Sequence, residues 1–132
     1  MKGGMPARTA PVKVFLVDQA SILHERVVAM LGAGAVEIVG QAETPQGSID
    51  GILAARPDVV VLDVQLKGGS GLQVLRAVRR IEPRIAFVVF SLHADAAYRK
   101  HYLSEGAERF LDKATEFDQL ISAVECASAH TH

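Results

Sequence analysis

Short apolar runs alternate along this 132-residue chain with apolar stripes at helical spacing, and that alternation limits its possible folds more than any other feature. The runs are VKVFLV (12–17), VEIV (36–39), VVVL (59–62), IAFVVF (85–90) and FL (110–111). Apolar runs of this length suit strands buried on both faces rather than strands with one wet face. Between them, Leu23, Val27, Met30 and Leu31 share one helical face, as do Ile49, Ile52 and Leu53. Val74, Leu75, Val78 and Ile81 form a third stripe, and Phe117, Leu120, Ile121 and Val124 the last. Tyr98 and Tyr102 mark a weaker helix over 95–105. Helix boundaries follow from local chemistry. Thr44-Pro45 reads as a cap and first helical position, Ser70 as the cap of the helix starting near Gly71, and Thr115-x-x-Asp118 as a capping box.

Five strands alternating with five helices require parallel βαβ units with helices on both faces of the sheet. Right-handed crossovers then give a doubly wound α/β fold, a single (βα)₅ domain with strand order 2-1-3-4-5. Residues 1–11 carry two glycines and two prolines without periodicity and read as a disordered leader, 12–128 as the domain, and 129–132 as a tail. With 49% hydrophobic and 22% charged residues the chain can fill a core, which excludes a disordered segment. A net charge of −1 offers no overall attraction to nucleic acid or an anionic membrane, so neither is expected as a direct partner. The lone cysteine, Cys126, excludes an internal disulfide and suits a reducing compartment. The first apolar run is interrupted by Lys13 and ends at Asp18, unlike a signal peptide or a membrane span, so a cytoplasmic location is expected.

In doubly wound sheets the functional site lies beyond the carboxyl ends of the strands, near the point where strand order reverses. Asp18 and Gln19 follow the first run, Asp63 the third, Ser91 the fourth, and Lys113 the fifth after one residue. Each has an ordinary explanation alone, as a cap, a turn former or a solvated loop residue. Together they place acids, a hydroxyl and a lysine in the same slot on four strands. Such a set suits a carboxylate nucleophile toward phosphorus, a divalent cation on hard oxygen ligands, and donors for phosphoryl oxygens. The glycines of the loop 67–71 would let backbone pass close to that group.

FLVDQ (15–19), VVVLDVQLKGGSGLQVLR (59–76), VVFSLH (88–93) and EGAERFLDK (105–113) resemble the response-regulator receiver domains of two-component signalling, over about residues 12–127. The resemblance implies a flavodoxin-like receiver fold and a non-enzymatic phosphoprotein. Asp63 would be the phosphoacceptor for a sensor histidine kinase or phosphotransfer protein. Asp18, Asp63 and the backbone carbonyl of Gln65 would hold Mg²⁺, and Lys113 would contact the phosphoryl group. Ser91 and Phe110 would be the switch residues, and Gln65 and His93 would tune the kinetics. The face built from the fourth helix, fifth strand and fifth helix would change its partner affinity and could form a homodimer. The 103–120 stretch resembles receivers that usually precede a helix-turn-helix output domain.

Three positions depart from that pattern. Gln19 stands where receivers normally carry a second acid that ligates the metal, so weak Mg²⁺ binding is expected. Lys67 and Ala114 stand where proline is common. Gln19 keeps open a degenerate receiver that binds partners without phosphorylation. A haloacid-dehalogenase-type phosphatase would need an acid where Gln65 stands, and a flavin-binding protein would need glycines after the first strand, where DQASILHER has none.

Overall fold

The computed structural model describes residues 11–18, 21–32 and 36–129. In chain order these form β1 (Val12–Val17), α1 (Ser21–Gly32), β2 (Val36–Ala42), α2 (Pro45–Ala55) and β3 (Val59–Leu62). A short hairpin follows, β4 (Gln65–Leu66) and β5 (Gly69–Ser70), and then α3 (Gly71–Ile81), β6 (Ala86–Ser91), α4 (Ala96–Ser104) and β7 (Arg109–Asp112). A 3₁₀ turn at Phe117–Gln119 leads into α5 (Leu120–Ala129).

The main sheet is ordered β2-β1-β3-β6-β7, with every pair parallel. Counting only its five strands, this is the expected order 2-1-3-4-5. The hairpin was not anticipated: Gln65 pairs with Ser70 and Leu66 with Gly69, in antiparallel register. Four residues of extended chain are too few to show a period of two, so the glycine-rich stretch looked like a plain loop. Gly68 makes the turn possible, since its φ of +84° is a region L side chains rarely adopt.

Alternate residues of each strand feed opposite faces, which gives the domain two cores. Val14, Leu16, Val61, Val88, Phe90 and Leu111 pack with Leu120, Ala123 and Val124 of α5. Val17, Val60, Leu62, Phe87 and Val89 pack on the other face with Ile52, Val74, Leu75, Val78 and Tyr102 from α2, α3 and α4. The central strand β3 is buried throughout, which is why it reads as an unbroken apolar run.

Most of the expected caps form. Thr44 Oγ1 accepts from Gly47 N at 3.1 Å, and Ser70 and Gln73 make a reciprocal capping box on α3. Three expectations need correction. Ile81 does not join the core stripe but is 58% exposed, because α3 ends there. Tyr98 is also 41% exposed, so Tyr102 is the buried residue on the inward face of α4. Thr115 does not cap α5: Glu116 precedes the 3₁₀ turn, and its carboxylate turns back to accept from Asp112 N at 2.8 Å.

Candidate functional site

The right-handed wind of the sheet brings the carboxyl ends of β1, β3, β6 and β7 to one edge. Backbone hydrogen bonds carry the strand ladders past their last residues and fix the residues beyond. Asp18 N donates to Ala42 O at 3.1 Å, Asp63 N to Val17 O at 2.9 Å, and Lys113 N to Ser91 O at 3.0 Å. Asp18, Asp63, Ser91 and Lys113 are thus held by the sheet itself rather than by flexible loops. The strand order also changes direction between β1 and β3, whose carboxyl ends carry the two acids.

Lys113 joins the two acids. Its Nζ donates to Asp18 Oδ2 at 2.5 Å and to Asp63 Oδ2 at 3.0 Å. The lysine side chain is 2% exposed, against 12% for Asp18 and 11% for Asp63. A buried ammonium is tolerated only where opposite charge compensates it, and here two carboxylates share one cation. Nζ also lies 5.8 Å from the centroid of the Phe90 ring. Among the described residues no buried side-chain nitrogen or oxygen lacks a hydrogen-bond partner.

Around this centre, the other Asp63 oxygen, Oδ1, receives a long 3.5 Å contact from Gln65 N. Ser91 is fully buried, and its Oγ accepts from His93 N at 3.0 Å. Gly71 opens α3 directly against the acid's backbone: a Cβ there would lie 2.1 Å from Asp63 O. Only glycine allows that approach. Phe110 is buried, with its ring edge-on to Tyr102 at 5.9 Å. A groove of about 360 Å³ lies between the hairpin and α4, lined among others by Gln65, Ser70, His93, Tyr98, His101 and Tyr102. Burial pushes the Tyr102 phenol up to about 12, against a hydrogen bond with the Leu72 backbone that acts the other way.

Of the residues singled out from sequence, Asp18, Asp63 and Lys113 meet in direct contact. Ser91 and Phe110 lie in the layer beside them, and Gln65 and His93 are exposed at its rim. Gln19 lies outside the described residues. Among those described, no three His, Cys, Asp or Glu side chains gather as a metal cluster. Two carboxylates converging on one point do fit a hard cation such as Mg²⁺, which is commonly held by one or two carboxylates with waters completing its shell.

Sequence reading missed two participants, Arg99 and Glu116. The Arg99 guanidinium donates to Glu116 Oε1 and to Phe110 O, both at 3.0 Å. No local pattern reveals this pair, because the partners are 17 positions apart and meet only once α4 packs on β7.

A family model for the response regulator receiver domain matches residues 14–125. A Mycobacterium tuberculosis protein described as a probable transcriptional regulatory protein, NarL, is 34% identical over 118 residues, covering 88% of this chain and 55% of that protein. The transcriptional regulatory protein DegU of Brevibacillus brevis is 26% identical over 114 residues, covering 86% of this chain and 48% of DegU. The chain thus spans about half the length of the curated relatives it matches. Among solved structures, the signal receiver domain of Mycobacterium tuberculosis NarL superposes with a TM-score of 0.85 at 31% identity, covering 92% of this chain and 98% of that one.

Proposed function

Because this chain belongs to the response regulator receiver domain family of two-component signalling, we propose that it is switched by phosphorylation of Asp63, with a sensor histidine kinase or phosphotransfer protein as donor. The observation that carries this reading is the convergence of Asp63, Asp18 and Lys113 at the carboxyl edge of the sheet, beside the buried Ser91 hydroxyl.

The chemistry follows from what these groups do. An Asp63 carboxylate oxygen attacks phosphorus, the bond from phosphorus to the donor's imidazole nitrogen or acetate oxygen breaks, and an acyl phosphate forms. The leaving group departs with that bond's electron pair. The Lys113 ammonium, already 3.0 Å from Asp63, is placed to balance the charge of the transferred group. Ser91 Oγ now accepts from His93 N, and turning its O–H toward a phosphoryl oxygen would break that bond and pull the following loop with it. Asp18 and Asp63, with the Gln65 carbonyl, would hold Mg²⁺, which supplies further charge neutralisation at the phosphoryl oxygens. Gln65 and His93, at the rim, are positioned to govern water reaching the acyl phosphate.

The output is read as a change on the face of α4, β7 and α5, where Leu103 is exposed, through a binding partner or a second copy of the chain. Among the described residues no helix is long and apolar enough to cross a membrane, and we place the domain in the cytoplasm, as is typical of response regulators. We propose no enzymatic turnover and no direct nucleic-acid contact for this segment.

A second reading is favoured by a specific observation: Lys113 already bridges both acids, and Gln19 brings no third carboxylate in sequence. A receiver in that condition would bind partners without being phosphorylated. Intact-mass measurement after incubation with acetyl phosphate and Mg²⁺ separates the two. A gain of one phosphoryl group, lost in Asp63→Asn, supports the switch. No gain supports the degenerate receiver, and labelling that persists in Asp63→Asn places the nucleophile elsewhere.

A further inference from the structure

Arg99 sits on α4, and its guanidinium joins three separate segments. Nε donates to Ala94 O at 3.1 Å, in the loop that follows Ser91. Nη1 donates to Phe110 O on β7 at 3.0 Å. Nη2 donates at 3.0 Å to Glu116 Oε1, in the loop that follows Lys113. Glu116 is itself committed, since the same oxygen accepts from Asp112 N, the residue before Lys113. The guanidinium carbon also lies 5.4 Å from the centroid of the Phe110 ring, which Tyr102 presses from one helical turn further along.

A planar fork with several fixed donors can satisfy such dispersed acceptors at once, whereas a lysine ammonium cannot reach all three. The pair is about two-thirds buried, 36% exposed for Arg99 and 27% for Glu116, so it is screened less than an ordinary surface ion pair. The Asp112 N–H, and then Arg99, also hold the Glu116 carboxyl below its ordinary range.

We infer that Arg99 is a positioning residue that couples the loop behind Ser91 to the loop bearing Lys113, so that the two move as one unit with α4. Its functional consequence rests on the phosphorylation switch proposed above, but its geometry does not. Movement of the Ser91 loop toward a phosphoryl group would draw Ala94, and through the same fork Phe110 and Glu116, without any direct contact between the two loops' side chains. The α4–β7 face would then report the state of Asp63.

Hydrogen exchange on the unphosphorylated full chain tests the coupling directly. Arg99→Met should speed exchange about tenfold or more in both 92–97 and 112–116, as expected when charge-assisted hydrogen bonds are lost, and leave β1, β3 and α5 unchanged. Arg99→Lys should recover only part of the protection. Glu116→Gln keeps an oxygen for Asp112 N and should fall between wild type and Arg99→Met. Faster exchange in only one of the two loops, or uniformly along the chain, would overturn the coupling. Beryllofluoride gives the second readout: in wild type the amide signals of His93 and Glu116 should shift together, and in Arg99→Met those of His93 should shift without those of Glu116. Concerted shifts in the variant would also refute it. If wild type accepts neither beryllofluoride nor a phosphoryl group, the proposed switch fails, and the exchange measurement still decides the coupling.

Discussion

Replacing Lys113 with methionine removes the ammonium that bridges both acids while keeping nearly the same volume. At an effective dielectric near 20, a cation 2.5–3.0 Å from each carboxylate oxygen attracts it by roughly 5–7 kcal/mol before desolvation. Burying the ammonium offsets much of that, so the net value must be judged from broken buried pairs, which cost about 3–5 kcal/mol. We expect Lys113→Met to lose that much stability at neutral pH without divalent cations. In urea, with a slope of roughly 1–3 kcal/mol per molar, the midpoint should fall by on the order of 2 M. The reverse partner behaves differently. Asp63→Asn leaves Lys113 paired one-to-one with Asp18 and relieves carboxylate repulsion, so it should stay within about 1 kcal/mol of wild type. Combining the two substitutions should recover about 1–3 kcal/mol relative to Lys113→Met, because one uncompensated acid is gone. Urea melts of the four proteins close the cycle. A Lys113→Met protein within 1 kcal/mol of wild type, or a coupling indistinguishable from zero, would refute the shared-cation account of the pocket.

Ser91→Ala should leave acetyl phosphate labelling of Asp63 largely intact but weaken the amide shifts that beryllofluoride produces at Phe110 and Lys113, measured by two-dimensional NMR. Gly71→Ala should destabilise the domain by about 1–3 kcal/mol in urea melts and slow labelling, since the new methyl collides with the Asp63 carbonyl; an unchanged melt would mean that the α3 start is not pinned there. Tyr102, with its folded value raised to about 12, contributes stability that is complete below about 10 and fades as pH rises through 12, so wild type should lose stability over that window while Tyr102→Phe loses less. Gln19→Asp should tighten Mg²⁺ and speed labelling; calorimetric titration showing equal affinities in both proteins would remove Gln19 as the cause of weak metal binding.

The elements legible in the sequence are those whose burial is symmetric or periodic. β3 is covered on both faces and reads as VVVL without interruption; α3 turns Val74, Leu75 and Val78 to one side and reads as a stripe. β7 was detectable only as two apolar residues, because Arg109 is exposed and Asp112 half-exposed at the sheet's edge. Ile81 misleads for the opposite reason: it keeps helical spacing but falls where the sheet no longer covers the helix. Of the site, Asp18, Asp63, Ser91 and Lys113 were visible because topology alone gathers strand ends. Arg99 and Glu116 were not, since their pairing depends on how α4 is seated, and a helix with charged, small and aromatic residues around it shows only the weak Tyr98 and Tyr102 stripe.

That asymmetry bears on how such a domain can switch. The acids and Lys113 are held by sheet hydrogen bonds, which change only if strands separate. The loop after Ser91 and the loop after Lys113 lean more on side chains, His93 N on Ser91 Oγ and the Arg99 fork, beside a single Glu116 N to Asp112 O bond. Local stability is lower where side chains rather than ladders hold the backbone. A new charge on Asp63 would therefore leave its own support in place and disturb the neighbouring contacts first. Ser91 belongs to both sets and lies beside the acids, fixed to β6 through its backbone while its hydroxyl serves the loop. Motion should accordingly begin at Ser91 and reach α4 through Ala94 and Arg99, with β1 and β3 serving as the fixed frame.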